Sequence, residues 1–151
     1  MKKNLILITL LFFFITSCGY KPIYSSKKNN FDILKIEIIK ESRLNTLIKN
    51  NLNNLSNKDG EKKINLIINA EKVKSVASKD AKGNSQLLVM SLSIVVEIYE
   101  NGKKKSEKQF SESFSYSNNS NKFNLSKYEK SIEKNLKDKI VKSINRYLIS
   151  F

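Results

Sequence analysis

Leu87-Leu88-Val89-Met90-Ser91-Leu92-Ser93-Ile94-Val95-Val96-Glu97-Ile98-Tyr99, followed by Glu100-Asn101-Gly102, is the stretch that decides the fold. In an extended chain successive side chains point to opposite faces. Leu88, Met90, Leu92, Ile94, Val96 and Ile98 therefore line one face of a strand, while Leu87, Val89, Val95 and Tyr99 add apolar surface to the other. A strand apolar on both faces for part of its length belongs at the centre of a sheet, or carries a second surface that a partner covers. Asn101-Gly102 then predicts a tight hairpin, since both residues tolerate positive φ.

Working outward, a fourth strand is expected from about Lys104 to Ser117, with Phe110, Phe114 and Tyr116 on one face and Ser111, Ser113 and Ser115 on a wet or lightly packed one. Asn118 to Asn124 reads as a polar loop. Ser126-Lys127-Tyr128-Glu129 fits a capping box that opens a helix running to about Leu148. Tyr128, Ile132, Leu136, Ile140, Ile144 and Leu148 recur every fourth residue along it. At 1.5 Å per residue such a helix is on the order of 35 Å long, enough to cross a sheet. Lys130, Lys134, Lys137, Lys139 and Lys142 fall on its other faces and read as a solvated side.

Upstream, Ile33 to Ile39 is a first strand, with Leu34, Ile36 and Ile38 alternating against Lys35 and Glu37. Ser42 N-caps a helix whose stripe is Leu44, Leu47, Ile48, Leu52 and Leu55. Asn50, Asn51, Asn53 and Asn54 are weak helix formers, so that helix depends on tertiary packing. Asp59-Gly60 is a turn signal. Lys63 to Val73 is a second strand, with Ile64, Leu66, Ile68 and Ala70 on one face. Lys74 to Gln86 is expected as a polar loop or a flexible strand tip. The order βαβββα implies an α+β fold: a two-layer sandwich of a four-stranded, mostly antiparallel sheet with two helices on one face. The last three strands form a meander, and the first joins through a helical crossover.

The N-terminus reads differently. Lys2 and Lys3 precede an apolar run, Leu5 to Ile15, of about eleven residues, the proportions of a secretory leader. A spanning helix needs about 20 apolar residues. The run closes on Ile15-Thr16-Ser17-Cys18, and Cys18 is the sole cysteine. This resembles the lipobox of bacterial lipoproteins. Residues 1–17 are then a signal peptide cut before Cys18, residues 18–30 a lipidated N-terminus and tether, and residues 31–151 a single α+β domain. By analogy with lipoprotein sorting, Gly19, which is not acidic, favours the outer membrane. An uncleaved anchor with a buried structural cysteine is the alternative.

Composition bounds the chemistry. The net charge is +14, from 28 Lys and Arg against 14 Asp and Glu, and histidine is absent. A basic surface suits a phosphate-rich partner such as anionic lipid head groups or lipopolysaccharide. Abundant Lys, Asn and Ile, with arginine only at Arg43 and Arg146, also mark an A+T-rich coding bias that accounts for much of the lysine. No basic stripe interleaved with aromatics suggests nucleic acid. Without histidine there is no His-based triad, and Cys18 is spoken for. Asp32, Asp59, Asp80 and Asp138 lack metal-ligand spacing. Glu97, Glu100, Glu107 and Glu112 lie around one hairpin and read as solvent-side partners of lysines. Ser–Lys pairs are too common here to single out a hydrolase. The expectation is a non-enzyme with no cofactor beyond a covalent lipid on Cys18.

Cys18-Gly19-Tyr20-Lys21-Pro22-Ile23-Tyr24 resembles the mature N-terminus of the lipopolysaccharide-assembly lipoprotein family (LptE), particularly its α-proteobacterial members. The strand near Ile36, the Arg43-Leu44 helix start, the long third strand, Phe114-Ser115-Tyr116 and the closing helix fall in that family's order. The motif positions are Gly19, Tyr20, Pro22 and Tyr24. The resemblance implies a plug and assembly partner within a large outer-membrane β-barrel (LptD-like), the pair inserting lipopolysaccharide into the outer membrane. It implies lipid attachment at Cys18 and a periplasmic-side location. Lys74, Lys79 and Lys82, at a strand tip, are the candidate contacts to lipid A phosphates. A stand-alone periplasmic lipid- or glycan-binding lipoprotein is the alternative, and it calls for an apolar pocket within the sandwich.

Overall fold

A computed structural model of the chain describes residues 29–151. The leader, Cys18 and the motif residues Gly19, Tyr20, Pro22 and Tyr24 lie outside the described residues. The elements are β1 (Phe31–Ile38), α1 (Arg43–Asn53), β2 (Lys62–Lys79), β3 (Ser85–Glu100), β4 (Lys103–Ser117) and α2 (Lys122–Ser150). The sheet order is β1-β2-β3-β4, with β1 parallel to β2 and the other neighbours antiparallel. This is the expected βαβββα sandwich.

β3 organises it. It pairs with β2 on one side and β4 on the other along nearly its whole length. Met90, Leu92, Ile94, Val96 and Ile98 are all buried. Against them pack Ile64, Leu66 and Ile68 of β2, Ile48 and Leu52 of α1, and Ile132, Leu136, Ile140, Ile144 and Leu148 of α2. Asn101 and Gly102 turn the β3–β4 hairpin at φ 51° and 75°, as their residue types predict. Among the described residues, no helix covers the opposite sheet face. There Ser93 receives hydrogen bonds from Gln109 (2.7 Å) and Ser111 (3.3 Å), and Ser111, Ser113 and Ser115 are exposed among the described residues, the wet face expected of them. Around the hairpin Lys104 bridges Glu97 and Glu107 (3.1 and 2.6 Å), and Lys105 meets Glu100 (3.5 Å).

Four boundaries differ from the sequence reading, each for a local reason. In β1 a bulge between Ile33 and Lys35 shifts the pairing. One extra residue moves all that precede it to the other face, so Phe31 and Ile33 are buried while Leu34 is 60% exposed. β2 runs past Val73 to Lys79 and turns tightly over 80–84, so of the two expectations for Lys74 to Gln86 it is the strand tip, not the polar loop, that forms. The second helix starts a turn early. Asn121, not Ser126, is its N-cap, accepting from Asn124 N–H at 3.1 Å. This buries Leu125 in place of Tyr128, which stays half exposed. Ser42 does cap α1, accepting from Asn45 N–H at 3.1 Å, but that helix ends before Leu55, which packs from the following turn.

Asn45 is fully buried and polar. β1 stops pairing after Ile39, whose N–H donates to Ile68 C=O. The next β2 residue whose main-chain groups face that edge, Ala70, would be left with them open. Asn45 closes them: its Oδ1 accepts from Ala70 N–H at 2.8 Å and its Nδ2 donates to Ala70 C=O at 3.3 Å. A helix side chain thus continues the sheet. Asn45→Ala leaves the buried Ala70 N–H unpaired and is expected to cost about 2 kcal/mol, measurable by urea unfolding. Asn45→Gln, which keeps the amide one methylene too far out, is not expected to restore it.

Candidate functional site

Five hydrophobic residues, Leu44 and Leu47 on α1, Ala70 and Val73 on β2 and Met90 on β3, lie along a cleft between the two helices. Bounded by both helices and by β2, it has a volume of about 820 Å³. Cations dominate its rim. Lys40 and Arg43 stand at the start of α1, Lys72 and Lys74 rise from β2, and Lys130, Lys134 and Lys137 line α2. Lys130, Lys134 and Lys137 share one flank of that helix because residues three and four apart lie on one side.

Two ion pairs tie the β2 lysines to α2: Lys72 to Glu133 at 2.6 Å and Lys74 to Glu129 at 3.0 Å. Both lysines are partly solvated, so each pair contributes little beyond holding geometry. Glu129 also accepts from the buried Tyr116 hydroxyl at 2.7 Å. Burial alone would raise the Glu129 carboxyl, but the hydrogen bonds from Tyr116 and Lys74 outweigh it and hold the group below its ordinary value. Tyr116 is pushed up to about 12, first by burial and then by the Glu129 carboxylate. An unfolded tyrosine ionises near 10. The Tyr116 contribution to stability is therefore complete below about pH 10 and is lost as pH climbs towards 12. Tyrosinate absorbance of the folded chain should show a step near pH 12, and Tyr116→Phe should remove it.

Among the described residues Lys40, Arg43, Lys130 and Lys134 have no carboxylate within ion-pair distance. They supply positive charge over an apolar floor. Lysine acts as a point charge, and Arg43 can grip phosphate or carboxylate in a fork. The arrangement suits an anion with an apolar body.

The structure separates the three sequence-chosen lysines. Lys74 lines the cleft. Lys79 ends β2, five residues or about 16 Å further along the strand, and Lys82 sits in the turn beyond it. That turn has its own organisation. Asp80 accepts from the main-chain N–H of Lys82 (2.9 Å) and Asn84 (2.8 Å), and from the Asn84 side chain (3.1 Å). The Asn84 side-chain bond, reinforced by the main-chain ones, keeps the Asp80 carboxyl low. Lys40, Arg43, Lys130 and Lys134 went unchosen in the sequence. Their spacing marks helix flanks, but nothing in it says that the two flanks face each other.

No protein-family model matches the chain, and no curated protein does. Solved structures do. Rare lipoprotein B from Shewanella oneidensis superposes with a TM-score of 0.54 at 14% identity, covering 77% of this chain and 97% of that one. A minor lipoprotein from Acinetobacter baumannii gives 0.58 at 13% identity, covering 81% and 92%. Lipoprotein B from Nitrosomonas europaea gives 0.55 at 11% identity, covering 78% and 84%. The chain therefore shares the fold of these bacterial lipoproteins over nearly their whole length.

Proposed function

We propose that this chain is an outer-membrane lipoprotein, anchored through Cys18 on the periplasmic side, that seats in a large β-barrel partner and assists insertion of lipopolysaccharide. The observation that carries the reading is the conjunction of a lipoprotein fold with the Ile15-Thr16-Ser17-Cys18 run at the end of a short leader. Two acyl chains on one residue give stable anchoring. The anchored domain is a sandwich with one continuous hydrophobic core between sheet and helices, a shape that suits a plug.

Under this reading the cleft is the place for the phosphates of the transported lipid. Lys40, Arg43, Lys130 and Lys134 provide the charge, with Lys74 beside them. Lys79 and Lys82 remain candidate contacts from the sheet tip. Because exposed charges are screened by salt, such binding weakens steeply as ionic strength rises. Copurification after mild detergent extraction tests the proposal. A β-barrel protein is expected to come with the chain, and depletion of the chain is expected to lower surface lipopolysaccharide. Extraction of the chain alone, with surface lipopolysaccharide unchanged on depletion, would overturn it.

A further inference from the structure

We infer that the outer edge of β4, together with the pocket where α2 overhangs it, is a docking groove for an extended segment of a partner protein, one that carries a large apolar side chain flanked by acidic residues. The inference does not depend on the barrel reading.

The two sheet edges are unlike. β1 is short and bulged, and its outer side is occupied: Asn57 N–H donates to Phe31 C=O at 3.0 Å, and Ile33 N–H to Ser56 Oγ at 2.7 Å. Bulges and covering segments are the usual protection of an edge strand. β4 is 15 residues long and pairs with β3 without a register shift from Ile98 to Leu87. Among the described residues nothing pairs with its outer side. Lysines guard only its first half, Lys103 to Lys108. From Gln109 to Ser117 the one charge is Glu112, and there is no proline.

The phase of the free groups follows from one bond. Asn118 N–H donates to Gln86 C=O at 2.8 Å, so Gln86 and Asn118 form a hydrogen-bonded pair. In an antiparallel ladder such pairs alternate with non-bonded ones, whose main-chain groups turn the other way. Tyr116, Phe114, Glu112 and Phe110 therefore bond to β3, while Gln109, Ser111, Ser113, Ser115 and Ser117 direct their N–H and C=O groups outward. That is a row of donors and acceptors that no described residue uses, at the spacing an added strand requires.

A fifth strand would lie about 4.8 Å beyond β4. There α2 and β4 enclose a pocket of about 380 Å³ lined in part by Phe114, Tyr128, Ile132 and Leu136. Phe114 is 43% and Tyr128 49% exposed, although both belong to the helix-side layer. This is where a helix-facing side chain of the added strand would fall, and the lining selects a large apolar one. Lys139 and Lys142 close the rim. Asp138, also on the rim, is engaged by Lys137 at 3.5 Å. A neighbouring helix-facing position on the added strand, two residues away, is thus matched by an acidic side chain.

The probe is the peptide Ser-Glu-Thr-Phe-Thr-Glu-Ser with blocked ends. Glutamate on both sides of the phenylalanine presents one to Lys139 and Lys142 in either strand direction. With the isotopically labelled intact chain in detergent micelles, the expected result is saturable binding that slows amide exchange at Gln109, Ser111, Ser113 and Ser115. Ser113→Pro removes an outward N–H and no ladder bond, so the fold is retained. It is expected to weaken binding at least tenfold. A Lys139→Glu, Lys142→Glu double variant is expected to prefer the peptide with lysine in place of glutamate by a similar factor. Three results would overturn the inference: no protection of these amides, equal binding by Ser113→Pro, or self-association of the chain through β4 in place of peptide capture.

Discussion

Replacing Cys18 by serine is expected to abolish acylation of the chain altogether and to leave its leader attached. Serine has no thiol to accept the diacylglycerol, and cleavage before residue 18 follows that modification under the lipobox reading. The wild-type chain should incorporate labelled palmitate and resist extraction from membranes at high pH. Acyl chains contribute about 0.8 kcal/mol per buried methylene, and two chains suffice for stable attachment. The variant would be held only by the apolar stretch Leu5 to Ile15, well short of the about 20 residues a spanning helix needs. It should take up no palmitate, run larger by the mass of the leader and wash from the membrane. Equal labelling of both forms would place the lipid elsewhere and remove the anchor from the account.

The second large effect is in the fold. Gly60→Ala is expected to destabilise the domain by at least about 3 kcal/mol, beyond the ordinary cost of overfilling a core. A Cβ on Gly60 would stand 2.5 Å from the Phe31 carbonyl carbon and 2.8 Å from its Cα and N. Those are main-chain atoms at the start of β1, so no side-chain rotation relieves the contact. The surroundings are fixed on both sides. Gly60 N–H donates to Asn57 C=O at 2.8 Å, Asn57 N–H to Phe31 C=O, and Lys62 N–H to Asn30 C=O. Asn29 joins the same junction, donating to Leu55 C=O at 2.6 Å. Moving β1 away would open the contacts of Phe31, which is 2% exposed. Thermal unfolding followed by circular dichroism should show a midpoint lower by about 10 °C. An unchanged midpoint would show that the β1–β2 junction is looser than its hydrogen bonding implies.

Gly60 also marks where sequence reasoning stopped. Asp59-Gly60 signals a turn, and a turn is there, but the glycine is required by the approach of another strand, which local sequence does not encode. The same division runs through the chain. β3 was legible because period-two alternation over six apolar positions has no other good explanation. Asn101-Gly102 was legible because its dihedrals are a property of those residue types. The apolar stripe of α2 was legible from Ile132 to Leu148, where one face stays on the sheet throughout. The bulge in β1 was not, because Leu34 is as apolar as Ile33 and only the pairing decides which is extra. Asn45 looked like one more asparagine in an asparagine-rich helix, and its bond to Ala70 spans 25 residues. Asn121 and Ser126 are both competent caps, and burial of Leu125 favours the first.

The candidate site was less legible than the fold. Charge composition pointed to an anion, and Lys74 was singled out, but for its position at a strand tip. What brings Lys40, Arg43, Lys130 and Lys134 round one cleft is the packing of two helices on one sheet, a tertiary property. The free edge of β4 was similarly hidden. A serine-rich strand reads as one wet face, whereas the consequential feature is the direction of its main-chain groups.

The most direct measurement on the central claim is intact-mass and partner analysis of the native chain after gentle detergent extraction. The expected result is a polypeptide beginning at residue 18, heavier by a diacylglycerol and attached acyl chains, recovered with an outer-membrane β-barrel protein. An unmodified thiol at Cys18 on a chain recovered alone from the soluble fraction would contradict the account.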